Sequence, residues 1–493
     1  VIEMSLAEIA EVTGGRLHRT DGSERVTASV EFDSRELRAG GLFVALPGER
    51  VDGHTFAAKA VADGAAGVLA GREVDAPAVI APPVHGADGG TSNAMALAGD
   101  TDGSGAAVLA ALAKLARHVV DRLTEDGLFV VGVTGSSGKT STKDLIAQLL
   151  EPLGPTVAPP GSFNNELGHP WTALRADAST RHLVLELSAR GPGHIAELAR
   201  VAPPTIGAVL NVGSAHVGEF GSREGIAKTK GELVEALPSG GVAILNADDP
   251  LVAAMASRTS ARVVFVGESP EATVRAENVR LDDQARASFR LVTPQGSADV
   301  TLSLYGEHHV GNALTAAAIA LEAGTDVEDV ARRLSSAQRR SARRMEVTTR
   351  EDGVTVLNDS YNANPESMKA ALKTLASMAR SGGRRSWAVL SEMGELGTDS
   401  VSAHDEIGRL AVRLNISRLV VVGDAAAPMH TGASHEGSWG EESVLVPDTD
   451  AAVALLRDEL RPDDVVLVKA SKVAEMWRVA DALLEGTELE GTE

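Results

Sequence analysis

Residues 130–150 read VVGVTGSSGKTSTKDLIAQLL, and their order is that of a phosphate cradle. An apolar strand ends at Val133, a loop of small residues runs through Thr134, Gly135, Ser136, Ser137 and Gly138, and Lys139, Thr140 and Ser141 open a helix. Glycines let backbone N–H groups close on phosphate oxygens, and the helix N-terminus adds its positive dipole end. Lys139 supplies a mobile charge and Thr140 a hydroxyl suited to Mg²⁺. The spacing departs from the general pattern, because Val133 stands five before Gly138 and the nearest glycine, Gly132, lies one residue earlier. Strand, loop, Lys-Thr pair and helix together still mark a nucleotide-phosphate site. The phosphoryl acceptor stays open: water, a hydroxyl or a carboxylate. No NKxD-type guanine motif follows a later strand, which makes ATP the expected nucleotide.

Three further residues could serve such a site. Glu186 ends the apolar run HLVLE, where a doubly wound sheet presents its ligands. It reads either as a Mg²⁺ ligand or as a solvated strand-end charge. His216 and Lys230 lie 14 residues apart in NVGSAHVGEFGSREGIAKTKGEL. Alone, a histidine after a strand is most simply a structural hydrogen bonder, and Lys230 an ordinary surface lysine.

The elements that must position these groups follow from periodicity. Residues 1–80 alternate short apolar runs with Gly and Pro, which predicts a small α/β unit. Residues 82–104 have no period and read as a linker or insertion. Leu109, Leu112, Leu115, Val119 and Leu123 then share one helical face. Apolar runs at 128–133, 182–187, 205–212, 241–246 and 262–267 alternate with helical patterns, the mark of a parallel, doubly wound sheet. Residues 273–304 read as an antiparallel patch, and from about 345 the alternation resumes as a second, Rossmann-like unit. Six arginines between 332 and 344 read as a solvated helix face, Arg344 excepted. Tyr361 suits a core or a nucleotide-packing role equally.

Composition limits the rest. At 493 residues the chain should hold about three domains. Lys and Arg number 46 against 68 Asp and Glu, a net charge of −22, which argues against nucleic-acid or anionic-membrane binding. No cysteine is present, excluding disulfides, thiolate nucleophiles and iron–sulfur clusters and fitting a reducing cytoplasm. No run reaches the roughly 20 apolar residues of a membrane span. Glu3 and Glu8 stand where a signal peptide would be basic, so none is expected.

The succession TGSSGKT, SFNNELGHP, ELSARGPGHI, NVGSAHVGEFGS, AKTKGEL, YGEHHVGNALTAAAIA, RRMEV and NDSYNANPESMKAAL resembles the Mur ligase family over nearly the whole chain. The segment EFDSRELRAGGLFVALPGERVDGHTFAAKAVADGAAGVL is similar to the family's uridine-nucleotide domain. The resemblance implies an α/β protein of three domains. A small α/β domain for the UDP-muramoyl substrate would span 1–104, with 82–104 as linker. A doubly wound P-loop ATPase domain would span 105–341, and a Rossmann-like domain receiving the amine 342–493.

It also implies an ATP- and Mg²⁺-dependent amide ligase. ATP would phosphorylate the carboxylate of UDP-N-acetylmuramoyl-tripeptide, and the amine of D-alanyl-D-alanine would attack the acyl phosphate. Lys139 would stabilise the β- and γ-phosphates, and Thr140 would bind one Mg²⁺. Glu186 and His216 would hold a second, with Lys230 carbamylated by CO₂. Asn312 would meet adenine with His308 nearby, while Arg344 and Asp359 reach ATP from the C-terminal side. Asn164, Asn165, Ser188 and Arg190 would touch the muramoyl peptide, and Ser34 and Arg35 the uridine nucleotide. Such chemistry brings several negative charges together, so cations and basic clamps must offset their repulsion.

Departures from the family pattern are Arg343 for Gly, His309 for Asn, Ser391-Glu392 for Gly-Asp, and Ala470 and Lys472 for Gly and Arg. Two other functions compete. One is the preceding family step, which adds a diamino acid or lysine; its diaminopimelate form would carry a DNPR-like motif, where this chain has AVLSEMGELGTDS. The other is a P-loop ATPase that joins nothing. A cytoplasmic monomer is expected.

Overall fold

Apolar runs become the inner strands of three sheets in the computed structural model, which describes residues 2–48, 51–84, 97, 99–213, 220–437 and 442–485. His216, most of the 82–104 segment and the acidic tail from 486 lie outside the described residues.

The first sheet has five strands in the order Arg16–His18, Ala78–Ile80, Gly67–Ala70, Leu42–Val44, Val30–Glu31. All its pairs are parallel except the first. The central sheet runs Gly296–Tyr305, Arg286–Thr293, Val274–Leu281, Arg262–Gly267, Val242–Asn246, Ile206–Val209, Phe129–Thr134, His182–Glu186, Thr156–Val157. Its parallel part holds the five expected strands, and the expected antiparallel patch extends one edge. The third sheet, Glu346–Thr349, Thr355–Asn358, Val465–Lys469, Ser386–Leu390, Arg418–Val422, Ser443–Val446, is parallel apart from its first pair.

Strands covered on both faces read as apolar runs, and His182–Glu186 and Val465–Lys469 are buried along their whole length, apolar except for His182, Glu186 and Lys469 at their ends. Helix Ser104–Glu125 puts Leu112, Leu115 and Val119 into a core shared with Leu6 and Leu42 of the first unit and with Val130 and Leu183 of the central sheet. On the opposite face, Leu145, Ile146 and Leu149 of the P-loop helix Lys139–Leu150 pack with Ala313 and Ile319 of helix His309–Glu322. The P-loop strand is thereby clamped from both sides.

The arginine-rich stretch is a solvated helix face only in part: Arg332 is 68% exposed beside Asp329, Arg339 and Arg340 are exposed but lie beyond the helix Val327–Ser336, and Arg333 is half-buried. Arg333 donates to Leu149 O at 2.7 Å, Arg340 pairs with Glu151, and Arg339 meets Glu346 at 2.6 Å. Ser341 N also donates to Asp144 Oδ2 at 3.1 Å, on the P-loop helix. Arg333, Arg340 and Ser341 tie this stretch to the end and flank of that helix, and Arg339 ties it to the third sheet.

Candidate active site

Gly138 makes the P-loop turn at φ 82°, a conformation L side chains rarely adopt. A Cβ there would stand 2.7 Å from Asn312 Oδ1, so Asn312 of helix His309–Glu322 lies directly against the loop. Thr134 donates its hydroxyl to Leu187 O at 2.9 Å, and Ser136 Oγ accepts Gly213 N at 2.9 Å. Those two side chains brace the loop against the chain just beyond the neighbouring strands His182–Glu186 and Ile206–Val209. Ser137 N donates to Asn211 Oδ1 at 3.0 Å, while Lys139 Nζ rests on Gly135 O at 2.6 Å. Gly135 packs against Leu210, and Ser141 faces the cavity described below.

Glu186 is fully buried, which overturns the solvated strand-end alternative. Its Oε2 accepts from Thr140 Oγ1 at 3.3 Å, Ser162 Oγ at 3.3 Å and Asn164 Nδ2 at 3.2 Å, whereas Oε1 has no partner. An unpaired carboxylate oxygen in the interior is costly unless a cation completes it. Thr140 and Glu186 therefore fit a hard, oxygen-seeking ion such as Mg²⁺. Among the described residues no cluster of three or more His, Asp or Glu forms a metal site by itself.

Lys230 ends helix Arg223–Lys230 and is 7% exposed, so the reading as a surface lysine fails. Burial, reinforced by the positive charge of Lys139, holds its amine well below the usual lysine range.

The third domain reaches the P-loop directly. Arg344 Nη2 lies 3.4 Å from Thr140 Oγ1, its guanidinium stacks 4.0 Å over Tyr361, and its buried Nε is unpaired. Asn364 Nδ2 donates to Ser136 O at 3.2 Å. Between the domains lies a cavity of about 110 Å³ lined by Gly138, His308, Asn312, Arg344, Asp359 and Lys469. His309 is buried against His308 at 4.3 Å between ring centres, and its Nδ1 lies 3.4 Å from Asn312 Nδ2. Tyr361 thus serves as a platform for Arg344.

Ser188 Oγ donates to Asn164 Oδ1 at 3.0 Å, joining two expected substrate contacts to Glu186 through one side chain. Asn165 accepts Gly168 N through its oxygen at 2.9 Å, at the turn into helix Gly168–Ala173. Arg190 follows the same strand end with its backbone N on His194 Nδ1 at 3.3 Å. Ser34 is half-buried on the first sheet's loop, and the 85% exposed Arg35 side chain folds onto Asp33 at 2.6 Å. Phe32, Phe163 and Trp171 connect that sheet to the Asn164 loop, with Trp171 Nε1 donating to Val30 O at 2.9 Å.

Sequence reasoning assigned no role to Ser162, Asn211, Asn364 or Lys469. Lys469 carried a signal, a charge ending the apolar run VVLVK as Glu186 ends HLVLE. The others are polar loop residues whose partners are distant in sequence.

A P-loop on a doubly wound sheet, completed by a basic arm from a Rossmann-like domain, defines an ATP-dependent enzyme that works between domains. The chain belongs to the Mur ligase family. It matches the Mur ligase family catalytic domain over residues 27–117, the Mur ligase middle domain over 133–320 and the Mur ligase glutamate ligase domain over 343–472. It is 56% identical over 505 residues to the UDP-N-acetylmuramoyl-tripeptide–D-alanyl-D-alanine ligase of Mycobacterium tuberculosis strain H37Rv, covering 98% of each chain. Among solved structures, MurF from Acinetobacter baumannii superposes with a TM-score of 0.83 at 30% identity, covering 98% of this chain and 99% of that one. MurF ligase from Thermotoga maritima in complex with ADP gives 0.75 at 27% identity, covering 93% and 97%.

Proposed function

We propose that this protein is an acid–D-amino-acid ligase that joins D-alanyl-D-alanine to UDP-N-acetylmuramoyl-tripeptide at the expense of ATP, in peptidoglycan precursor synthesis. The observation that carries this reading is 56% identity to a ligase of that name over 98% of both chains. In the reaction the peptide carboxylate takes the γ-phosphoryl group, giving an acyl phosphate and ADP. The dipeptide amine then attacks the carbonyl, phosphate leaves, and the amine gives up a proton.

The chain's own groups divide this work. The N–H groups of Gly135–Gly138 and Lys139 hold the β- and γ-phosphates. Asn312, with His308 beside it, faces adenine, and Arg344 and Asp359 close on the nucleotide from the third domain. Asn164, Asn165, Ser188 and Arg190 orient the muramoyl peptide, while Ser34 and Arg35 serve its uridine nucleotide. Thr140, Glu186, His216 and a carbamylated Lys230 would hold Mg²⁺, which when bound offsets phosphate charge. The orphaned Glu186 Oε1 and the low basicity of Lys230 support that assignment.

We place the domain boundaries at 104/105 and 341/342 and the protein in the cytoplasm as a monomer. No helix among the described residues is long and apolar enough to cross a membrane. The test is a substrate matrix: muramoyl tripeptide and dipeptide against D-alanyl-D-alanine and single amino acids. Product and ADP should appear only with tripeptide plus D-alanyl-D-alanine. Product with a single diamino acid on the dipeptide would indicate the preceding family step, and phosphate release from ATP alone an ATPase.

A further inference from the structure

Arg344 is flanked by two left-handed residues, Arg343 at φ 57° and Met345 at φ 49°. Neither is glycine, so surrounding contacts must hold the turn. Tyr361 N donates to Arg343 O at 3.2 Å, and Met345 N donates to Asp359 Oδ1 at 3.0 Å. The other Asp359 oxygen, Oδ2, receives Lys469 Nζ at 2.6 Å. Lys469 also donates to Asn362 O at 2.9 Å and, more weakly, to Asp359 O at 3.4 Å. An ammonium has three protons, and here each has a protein acceptor.

Lys469 is also 2% exposed, at the end of an entirely buried strand. Burial alone would favour an apolar residue there, because a buried ion pair gains little over a well-packed hydrophobe. Its place lining the interdomain cavity beside Arg344 and His308 suggests a phosphate clamp, but its protons are already committed.

We infer that Lys469 is a positioning residue: it fixes Asp359, and through Asp359 the left-handed turn that aims Arg344 at Thr140. The inference rests on the proposed function only in taking Arg344 to serve the nucleotide. It makes Asp359 the central link of a relay from the third sheet to the P-loop.

A double-mutant cycle of Lys469→Met and Arg344→Ala tests it, read in kcat, in KM for ATP, in calorimetric affinity for ADP with Mg²⁺, and in the melting curve. Lys469→Met should lower kcat about tenfold or more and leave the affinity for the UDP-muramoyl peptide unchanged. In that background Arg344→Ala should cost no more than about twofold further, since coupled residues are non-additive. Fully additive losses, or undiminished kcat in a folded Lys469→Met protein, would overturn the inference. If that variant does not fold, Lys469→Gln, whose amide offers two of the three donors, enters the cycle: it should lower kcat by a smaller factor and stay non-additive with Arg344→Ala, and additivity would overturn the inference. A wild-type protein that makes no amide would defeat the functional reading alone. The cycle would then be judged in ADP affinity, where coupling supports Lys469 and additivity refutes it.

Discussion

Arg344 Nη2 lies 3.4 Å from Thr140 Oγ1 across 204 residues of sequence, and Thr140 in turn touches Glu186. One contact thus links the third domain to the phosphate loop and to the buried carboxylate. The arrangement makes catalytic geometry depend on how the third domain sits.

Domain approach should therefore be required for turnover. Arg344→Ala and Asn364→Ala each remove a contact from the third domain to the P-loop. Each should lower kcat while leaving affinity for the UDP-muramoyl peptide unchanged, since substrates on separate domains react only when aligned. Small-angle scattering should show a smaller radius when ATP analogue and muramoyl peptide are both bound, and a weaker response in Arg344→Ala. An unchanged radius under saturating ligands would count against this.

Lys139→Ala should nearly abolish product formation with the fold intact. Among the described residues the one hydrogen bond of the Lys139 side chain goes to Gly135 O, and it belongs to none of the hydrophobic cores. Loss of such a phosphate clamp costs on the order of 3–4 kcal/mol of transition-state stabilisation. Steady-state kinetics and a thermal melt check both halves, and full turnover by a folded variant would sink the P-loop assignment.

Lys230→Ala should reduce activity on the order of a hundredfold, the scale for lost support of a metal site. A buried amine of low basicity is neutral often enough to add CO₂, and the resulting carbamate offers two oxygens to a hard cation. Formate or acetate should partly restore the variant, and density beyond Nζ should appear in a Mg²⁺- and ATP-loaded crystal. A bare amine in that crystal would refute the carbamate.

Position 343 should rank glycine above alanine in stability. Arg343 adopts φ 57°, where the family pattern has Gly, and its guanidinium stacks 4.4 Å over Trp477. Arg343→Gly loses the stack but relieves the backbone, two effects each of about 1 kcal/mol. Arg343→Ala loses the stack and keeps the strain. Chemical denaturation should place Gly near wild type and Ala about 1 kcal/mol below; the reverse order would remove the strain argument.

His404 should contribute acid sensitivity. It is 1% exposed; its Nε2 accepts Met393 N at 2.9 Å, and Nδ1 donates to Ser400 O at 2.6 Å. Protonating Nε2 would break the first bond, and burial holds the ring below its ordinary value of 6.5. The unfolded chain therefore binds the proton first. Stability should be greatest above the ordinary value and decline as pH falls toward the folded one. Melting midpoints between about pH 7 and pH 5 should fall less steeply in His404→Gln, which keeps an acceptor and a donor but cannot titrate. Parallel slopes would exclude this histidine.

Local order alone determined much of this protein. The P-loop, the strands at 129–134, 182–186 and 262–267, and the antiparallel edge follow from chain-neighbour patterns of small, apolar and charged residues. Glu186 was legible as a strand-end carboxylate, and the domain succession as a resemblance. Tertiary structure decided which charges are buried and which residues meet. Glu186 and Lys230 are withdrawn from water only because helices and loops distant in sequence cover them. The hinge arginines found carbonyls and carboxylates on the P-loop helix and the third sheet, which no periodicity encodes. Lys469 became a fixed cation beneath Asp359 because hydrogen-bond partners are set by the packing of strands far apart in the chain.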